Sequence, residues 1–334
     1  MNGKLLNICL CALLCVACKE RTGQSFNLSE AEYLNSVVLM NPIEPLERLN
    51  SLAIIDNDRF VLCTENQVYL YEDGEQKEKI GRCGKASNEY VYPMIVRVND
   101  NHIYVWCAMT LRFLDYSLDG NCLGSYQYDS AISDFNCLDG KIIIYTNGTK
   151  NANTVEVYDM QTRRVMNSFA ETTEEHRALL PMFSVAPLMR DDACCYFSPK
   201  DKLEIYSLDI SENEMMQVSH KTKSESFRVN GTNVHKNGYV DDNSFVVALI
   251  GVNGSMKIMA SEGKYTTDAG MKDKTGRFYS IYSFRNGVID YQKSITAESL
   301  GSPSLFSFYD GRLYYIINEI SGEDEHYELR QLEI

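Results

Sequence analysis

Residues 94–128 read MIVRVNDNHIYVWCAMTLRFLDYSLDGNCLGSYQY. Four runs rich in β-branched and aromatic residues stand out: Met94–Val98, His102–Ala108, Leu111–Ser117 and Cys122–Tyr128. Only two to four residues separate each run from the next. Such residues fit a pleated, half-buried surface, and gaps this short between apolar runs make hairpins. The stretch predicts four antiparallel strands met in chain order.

The same unit recurs on both sides. Leu52–Ile55, Arg59–Thr64, Gln67–Glu72 and Gln76–Ile80 precede it. Ile132–Leu138, Lys141–Thr146, Thr154–Met160 and Arg164–Phe169 follow. A fourth unit reads Phe183–Leu188, Ala193–Ser198, Lys202–Leu208 and Glu214–Ser219. A fifth reads Tyr239–Val240, Ser244–Ile250, Phe278–Phe284 and Val288–Lys293, split by a polar loop over Ser261–Thr275. The last has three strands only, Leu305–Tyr309, Leu313–Ile317 and Tyr327–Leu332. Nine Asn-Gly or Asp-Gly dipeptides punctuate the body, at 73, 119, 139, 147, 230, 237, 253, 286 and 310. These pairs favour hairpins because both central residues of a type I′ turn need positive φ. No long window shows helical periodicity; Ser29–Leu34 and Glu171–Leu180 are the two short candidates.

Four-stranded units of roughly 40 residues are the mark of propeller blades. A ring of sheets must close or leave reactive edges. The unclaimed apolar run Asn35–Met40 supplies the strand that the last unit lacks. The expectation is an all-β, six-bladed β-propeller over residues 34–334, its last blade closed by an N-terminal strand. A pair of β-sandwiches is the competing architecture.

The chain opens Met1-Asn-Gly-Lys4 and continues with an apolar run from Leu5 to Ala17. A spanning helix needs about 20 such residues. A positive start, a short apolar stretch and a small residue before a cut site make a signal peptide instead, over residues 1–17. Cys15-Val16-Ala17-Cys18 resembles the bacterial lipobox, with Cys15 where Leu is usual. The resemblance implies a lipid on Cys18, an anchor and tether over 18–33, and a place in the bacterial cell envelope, at the outer membrane on its periplasmic or surface face. Removing the signal leaves 31 basic against 46 acidic residues. Without a basic footprint, nucleic acid is not an expected partner.

Seven cysteines remain in the body: Cys63, Cys83, Cys107, Cys122, Cys137, Cys194 and Cys195. An odd number forbids complete pairing, and five of them sit in strand-like runs, where a thiol packs as a small hydrophobe. One or two disulfides are the alternative. Neither a C-x-x-C pair nor clustered His is present in the body, so no metal or other cofactor is expected.

Gly81-Arg82-Cys83-Gly84-Lys85-Ala86-Ser87-Asn88-Glu89-Tyr90 resembles the segment Gly-Arg-x-Gly-x-Gly-Pro-Gly-Glu-Tyr of six-bladed, TolB-like β-propeller lipoproteins of Bacteroides-type bacteria. Gly81, Arg82, Gly84, Glu89 and Tyr90 match; Ala86-Ser87 replaces the family's Gly-Pro. The resemblance implies fold and location rather than chemistry. A phosphate cradle would need a helix after the loop, and a strand follows here. Arg82, Glu89 and Tyr90 are the binding candidates, with a structural crossover as the other reading: Arg82 paired with Glu89, and Glu89 capping backbone N–H groups.

No catalytic constellation emerges. Asp56, Asp134, Asp191, Asp192, Asp241 and Asp242 lie near strand ends, where Asp is also the ordinary turn residue. His102 and His235 stand near blade openings. Two functions remain. One is a membrane-tethered binding or scaffold module for a protein or glycan partner. The other is an extracytoplasmic carbohydrate-active hydrolase or lyase using axial carboxylates. Three or more acids or His converging in a deep axial funnel would favour the enzyme; a mixed open face would favour binding.

Overall fold

The computed structural model describes residues 25–26, 35–39, 48–148, 150, 152–174, 187–190, 194–224, 227, 244–252, 255–263, 266–268, 271–273, 277–296, 305–321 and 324–334. Among the described residues, consecutive antiparallel strands form six blade sheets and one two-stranded hairpin. Blade 1 comprises Leu49–Ile54, Arg59–Thr64, Val68–Glu72 and Glu75–Ile80. Blade 2 comprises Pro93–Asn99, His102–Cys107, Arg112–Ser117 and Cys122–Gln127. Blade 3 comprises Ile132–Leu138, Lys141–Thr146, Asn153–Asp159 and Arg164–Glu171. Blade 4 has the shorter strands Leu188–Arg190, Cys195–Phe197, Tyr206–Asp209 and Glu214–Gln217.

Blade 5 departs from the expected parse. Its four main strands are Phe245–Val252, Ser255–Gly263, Arg277–Arg285 and Val288–Thr296. Ser255–Gly263 is a strand although its Lys, Ala and Glu carry little strand propensity. Its interior is nevertheless buried, at Met256 and from Ile258 through Glu262. The region read as a polar loop holds the end of this strand and a small hairpin, Thr266–Asp268 with Met271–Asp273. Tyr239–Val240 and residues 183–186 lie outside the described residues, as does the helix candidate Ser29–Leu34. In the other helix candidate, Glu171 ends a strand and residues 175–180 lie outside. Two short segments, Ser25–Phe26 and Lys221–Lys223, run parallel to the outer strand of blade 5.

Blade 6 comprises Phe306–Tyr309, Arg312–Ser321 and Asp324–Glu333. Asn35–Val38 lies antiparallel on Asp324–Glu333 as its outermost strand, in the register Asn35↔Gln331 to Val38↔Glu328.

The core is six hydrophobic clusters, one in each seam between adjacent blades. Each seam also carries a hydrogen bond. Ser307 Oγ accepts from Ile54 N (3.2 Å) at seam 6–1, and Ser51 Oγ from Val96 N (3.2 Å) at seam 1–2. Arg97 donates to Asp134 (2.5 Å) at seam 2–3, and the Tyr145 hydroxyl to Ser198 O (2.9 Å) at seam 3–4. Val246 N donates to Lys200 O (2.9 Å) at seam 4–5, and Lys293 Nζ to Glu333 O (3.1 Å) at seam 5–6. Such a ring buries every blade on two sides, which is why most second strands read as near-continuous apolar runs. The seven body cysteines are free thiols; Cys63, Cys107, Cys137 and Cys195 are buried.

Candidate functional site

The crossover from blade 1 to blade 2 closes on itself. Arg82 Nε lies 2.6 Å from Glu89 Oε1. Glu89 Oε2 accepts from Ala86 N at 2.9 Å. The Ala86 N–H, and then the Arg82 guanidinium, hold the Glu89 carboxyl below its usual range. Gly84 N donates to Tyr90 O and Tyr90 N to Arg82 O. The Tyr90 ring is buried; its hydroxyl donates to Ile80 O (2.9 Å) and accepts from Val68 N (3.3 Å). Arg82, Glu89 and Tyr90 are thus brought together, each engaged with the loop or the blade beneath it.

The first strand of each blade faces the axis. There the six strands surround a funnel of about 490 Å³. Four of its charged groups come from blades 2, 3 and 4 and answer one another. Asp134 is buried beside Arg97, with a second bond from Phe135 N (2.7 Å). Arg190 reaches from blade 4 past blade 3 to Asp100 on blade 2, at 2.9 Å. Asn99 donates to Asn136 at 3.2 Å. Blades 5, 6 and 1 contribute mainly apolar residues, among them Leu249, Phe306 and Phe308. Three acids line the funnel, but Asp100 and Asp134 are matched to guanidinium groups. The third, Asp310, is a positive-φ turn residue at the rim of blade 6. The funnel is mixed and laced rather than a convergence of carboxylates. Lys200 lies fully buried near Asp134, and burial pushes its ammonium down to about 8, against the pull of that carboxylate.

A second cavity, about 480 Å³, opens in the seam between blades 2 and 3 and shares Asp100 with the funnel. His102 Nδ1 lies 2.8 Å from Asp115 Oδ1, and its ring stacks on Tyr104. Asp115 is buried, which raises its carboxyl, opposed by the bond to His102. Tyr126 folds back over Gly124, where an added Cβ would sit 2.5 Å from the tyrosine hydroxyl. Gly124 is the register partner of Asp115, so this bare position lets Tyr126 reach the cleft. Gln161, Asp139 and Met160 complete the wall from blade 3. His102 had drawn notice in the sequence; Asp115, Tyr126 and Gln161 had not.

Asp56 is a turn residue, bonded to Asp58 N, Arg59 N and the Arg59 side chain. Asp191, Asp192, Asp241, Asp242 and His235 lie outside the described residues. Among the described residues no three His, Cys, Asp or Glu gather at metal-binding spacing.

Residues 43–308 match the model of the DUF5128 family, described as a 6-bladed beta-propeller. The chain belongs to that family. Two solved structures share the fold of this DUF5128 propeller. One is a DUF4221 family member from Bacteroides vulgatus ATCC 8482, 10% identical, with a TM-score of 0.63 over 90% of this chain and 97% of that one. The other is BF0058 of Bacteroides fragilis NCTC 9343, whose name describes it as exported; it is 12% identical, with a TM-score of 0.58 over 90% and 94%. At such identities the likeness shows architecture alone. No curated protein matches the chain.

Proposed function

We propose that the mature protein is an exported lipoprotein, tethered by a lipid on Cys18 at the outer membrane, whose propeller serves as a binding or scaffold module. The observation that carries the binding reading is the funnel's internal matching: Asp134 with Arg97 and Asp100 with Arg190. A general acid or a nucleophile needs a carboxylate free to meet substrate; these two are held by guanidinium groups within the wall. The export reading rests on the N-terminal signal, on the likeness of Gly81–Tyr90 to TolB-like propeller lipoproteins, and on the name of the B. fragilis neighbour.

Acyl labelling and fractionation test the tether. Cys18→Ser is expected to abolish palmitate incorporation and release the protein from membranes; persistent labelling overturns the assignment. Affinity capture from producing cells tests the module. A partner retained by the native protein and lost with Arg190→Glu is the expected result. Turnover of a glycan by the purified protein would replace binding with catalysis.

A further inference from the structure

The two cavities on the funnel face differ in one respect that bears on recognition. In the funnel, Arg97, Asp134, Arg190 and Asp100 are consumed by one another. In the seam cleft, polar atoms remain unengaged. His102 Nε2, Asp115 Oδ2, the Tyr126 hydroxyl, the Gln161 amide and the Asp139 carboxylate make no hydrogen bond to any described residue. Asp115 is the telling member, because its side chain is 7% exposed and only Oδ1 is engaged. Its Oδ2 is an acceptor presented to the cavity.

The chemistry of these groups selects a ligand class. Asp115 and Asp139 accept, Tyr126 and Gln161 both donate and accept, and His102 offers its second nitrogen as an acceptor when Nδ1 carries the proton. Asp115 is hydrogen-bonded to His102, Asp100 is paired with Arg190, and the Arg163 charge acts on Tyr126 at the outer end. Tyr104, Tyr126, Leu138 and Met160 form the apolar part of the wall. Mixed donors and acceptors beside aromatic carbon suit a neutral polyhydroxyl ring, which presents hydroxyls at its edge and C–H groups on its faces. The volume lies within the usual range for ligand sites.

We propose that the seam between blades 2 and 3 is a saccharide-binding cleft, with Asp115, Tyr126 and Gln161 as its hydrogen-bonding residues and His102 positioning Asp115. The proposal rests on the reading of the propeller as a binding module. It places recognition off the axis, with the funnel as a neighbouring space reached past Asp100.

The full mature chain is titrated with neutral gluco-, manno-, xylo- and N-acetylglucosamine-based tetrasaccharides, and in parallel with lysine and arginine tetrapeptides. Calorimetry is read beside the fluorescence of Trp106, the single tryptophan, which is buried in this seam. At least one saccharide is expected to bind. Gln161→Ala and Tyr126→Phe should each weaken it by roughly tenfold, the worth of one hydrogen bond. Gln161 is exposed on a turn, so that variant keeps its fold. Asp310→Asn, at the exposed rim of the funnel on blade 6, should leave the affinity unchanged. Binding of the peptides without any saccharide overturns the ligand class. Saccharide binding lost with Asp310→Asn but kept in both cleft variants overturns the placement while leaving the module reading intact. No binding of any probe overturns the cleft, and a partner captured through Arg190 would still uphold the module.

Discussion

The Glu89 carboxylate lies directly over Gly84: a Cβ added there would sit 2.0 Å from Oε2. Glycine is required for this approach, since no real Cβ tolerates such a contact. Gly84→Ala forces Glu89 to swing away and surrender its bonds to Ala86 N and Arg82. We expect a lower melting temperature for Gly84→Ala, and a smaller further loss when Glu89→Ala is added, because the second change removes a contact already broken. Equal and additive losses in a double-mutant cycle would contradict the coupling. Tyr90→Phe tests the anchor under the loop. It removes the hydroxyl from Val68 N and leaves Ile80 O only the long bond from Gln67 Nε2 (3.4 Å), and should cost about 1–3 kcal/mol in denaturant unfolding.

Lys200 makes stability depend on alkaline pH. Its ammonium is pushed down to about 8 in the fold by burial; an exposed lysine in the unfolded chain stays near 10.4. Below pH 8 both states carry the proton, so the burial cost is present and constant. Between about 8 and 10.4 the unfolded chain holds a proton that the folded chain has released, so folding gains as pH rises. Relative to Lys200→Met, the native chain should gain up to roughly 3 kcal/mol across that window. Parallel pH profiles for the two proteins would show that Lys200 titrates as it does in water.

Thiol reactivity follows blade geometry. Cys83 and Cys122 are exposed, Cys194 is half-buried, and the other four body thiols are buried. Burial raises Cys107 and Cys195 to about 12 and pushes Cys63 and Cys137 well above the usual thiol range. The thiolate is the reactive form, so a disulfide reagent at neutral pH should modify Cys83 and Cys122 fast and Cys194 slowly. The remaining four should react only on unfolding. Mass-spectrometric detection of a native disulfide among the seven would refute this.

How far the sequence revealed this molecule depended on whether a feature was local. Asp73-Gly74, Asp139-Gly140, Asn286-Gly287 and Asp310-Gly311 form turns with positive φ at both residues, as their dipeptides predict. Asp100-Asn101 adopts the same geometry with no glycine (φ 51° and 65°); Asn and Asp tolerate it through local hydrogen bonding. The Arg82–Glu89 pair was legible because both residues lie in one short loop. The cleft was not. His102 faces Ser117 in register and meets Asp115 only diagonally across the pair of strands, and Gln161 arrives from another blade. Strand register and blade neighbourhood decide such a site, and neither is written in spacing along the chain. Correct register arithmetic between the second and third strands of blade 2 could have found the His102–Asp115 pair; nothing comparable pointed to Gln161.

The last prediction concerns the outer strand of blade 6. Asn35–Val38 pairs with Asp324–Glu333, Ser36 Oγ donates to Glu328 (2.9 Å), and Leu39 N to Tyr327 O (3.0 Å). Leu39 is buried, 3% exposed, among Leu52, Phe60 and Leu62 of blade 1 and Leu305 and Leu329 of blade 6. One short segment therefore joins the sheet of the last blade to the core it shares with the first. If it latches the ring, its loss should register as global rather than local instability. Leu39→Ala alone should cost about 2–5 kcal/mol, as for other buried leucines. That is a large part of the roughly 5–15 kcal/mol by which a domain is stable. A chain starting at residue 42 should then melt far lower, or aggregate through the bared edge of Asp324–Glu333. A chain starting at residue 30 keeps the strand and should melt close to the full mature protein. Equal melting temperatures for the two truncated chains would show that the ring holds without this strand. In that case Leu39→Ala should also prove mild.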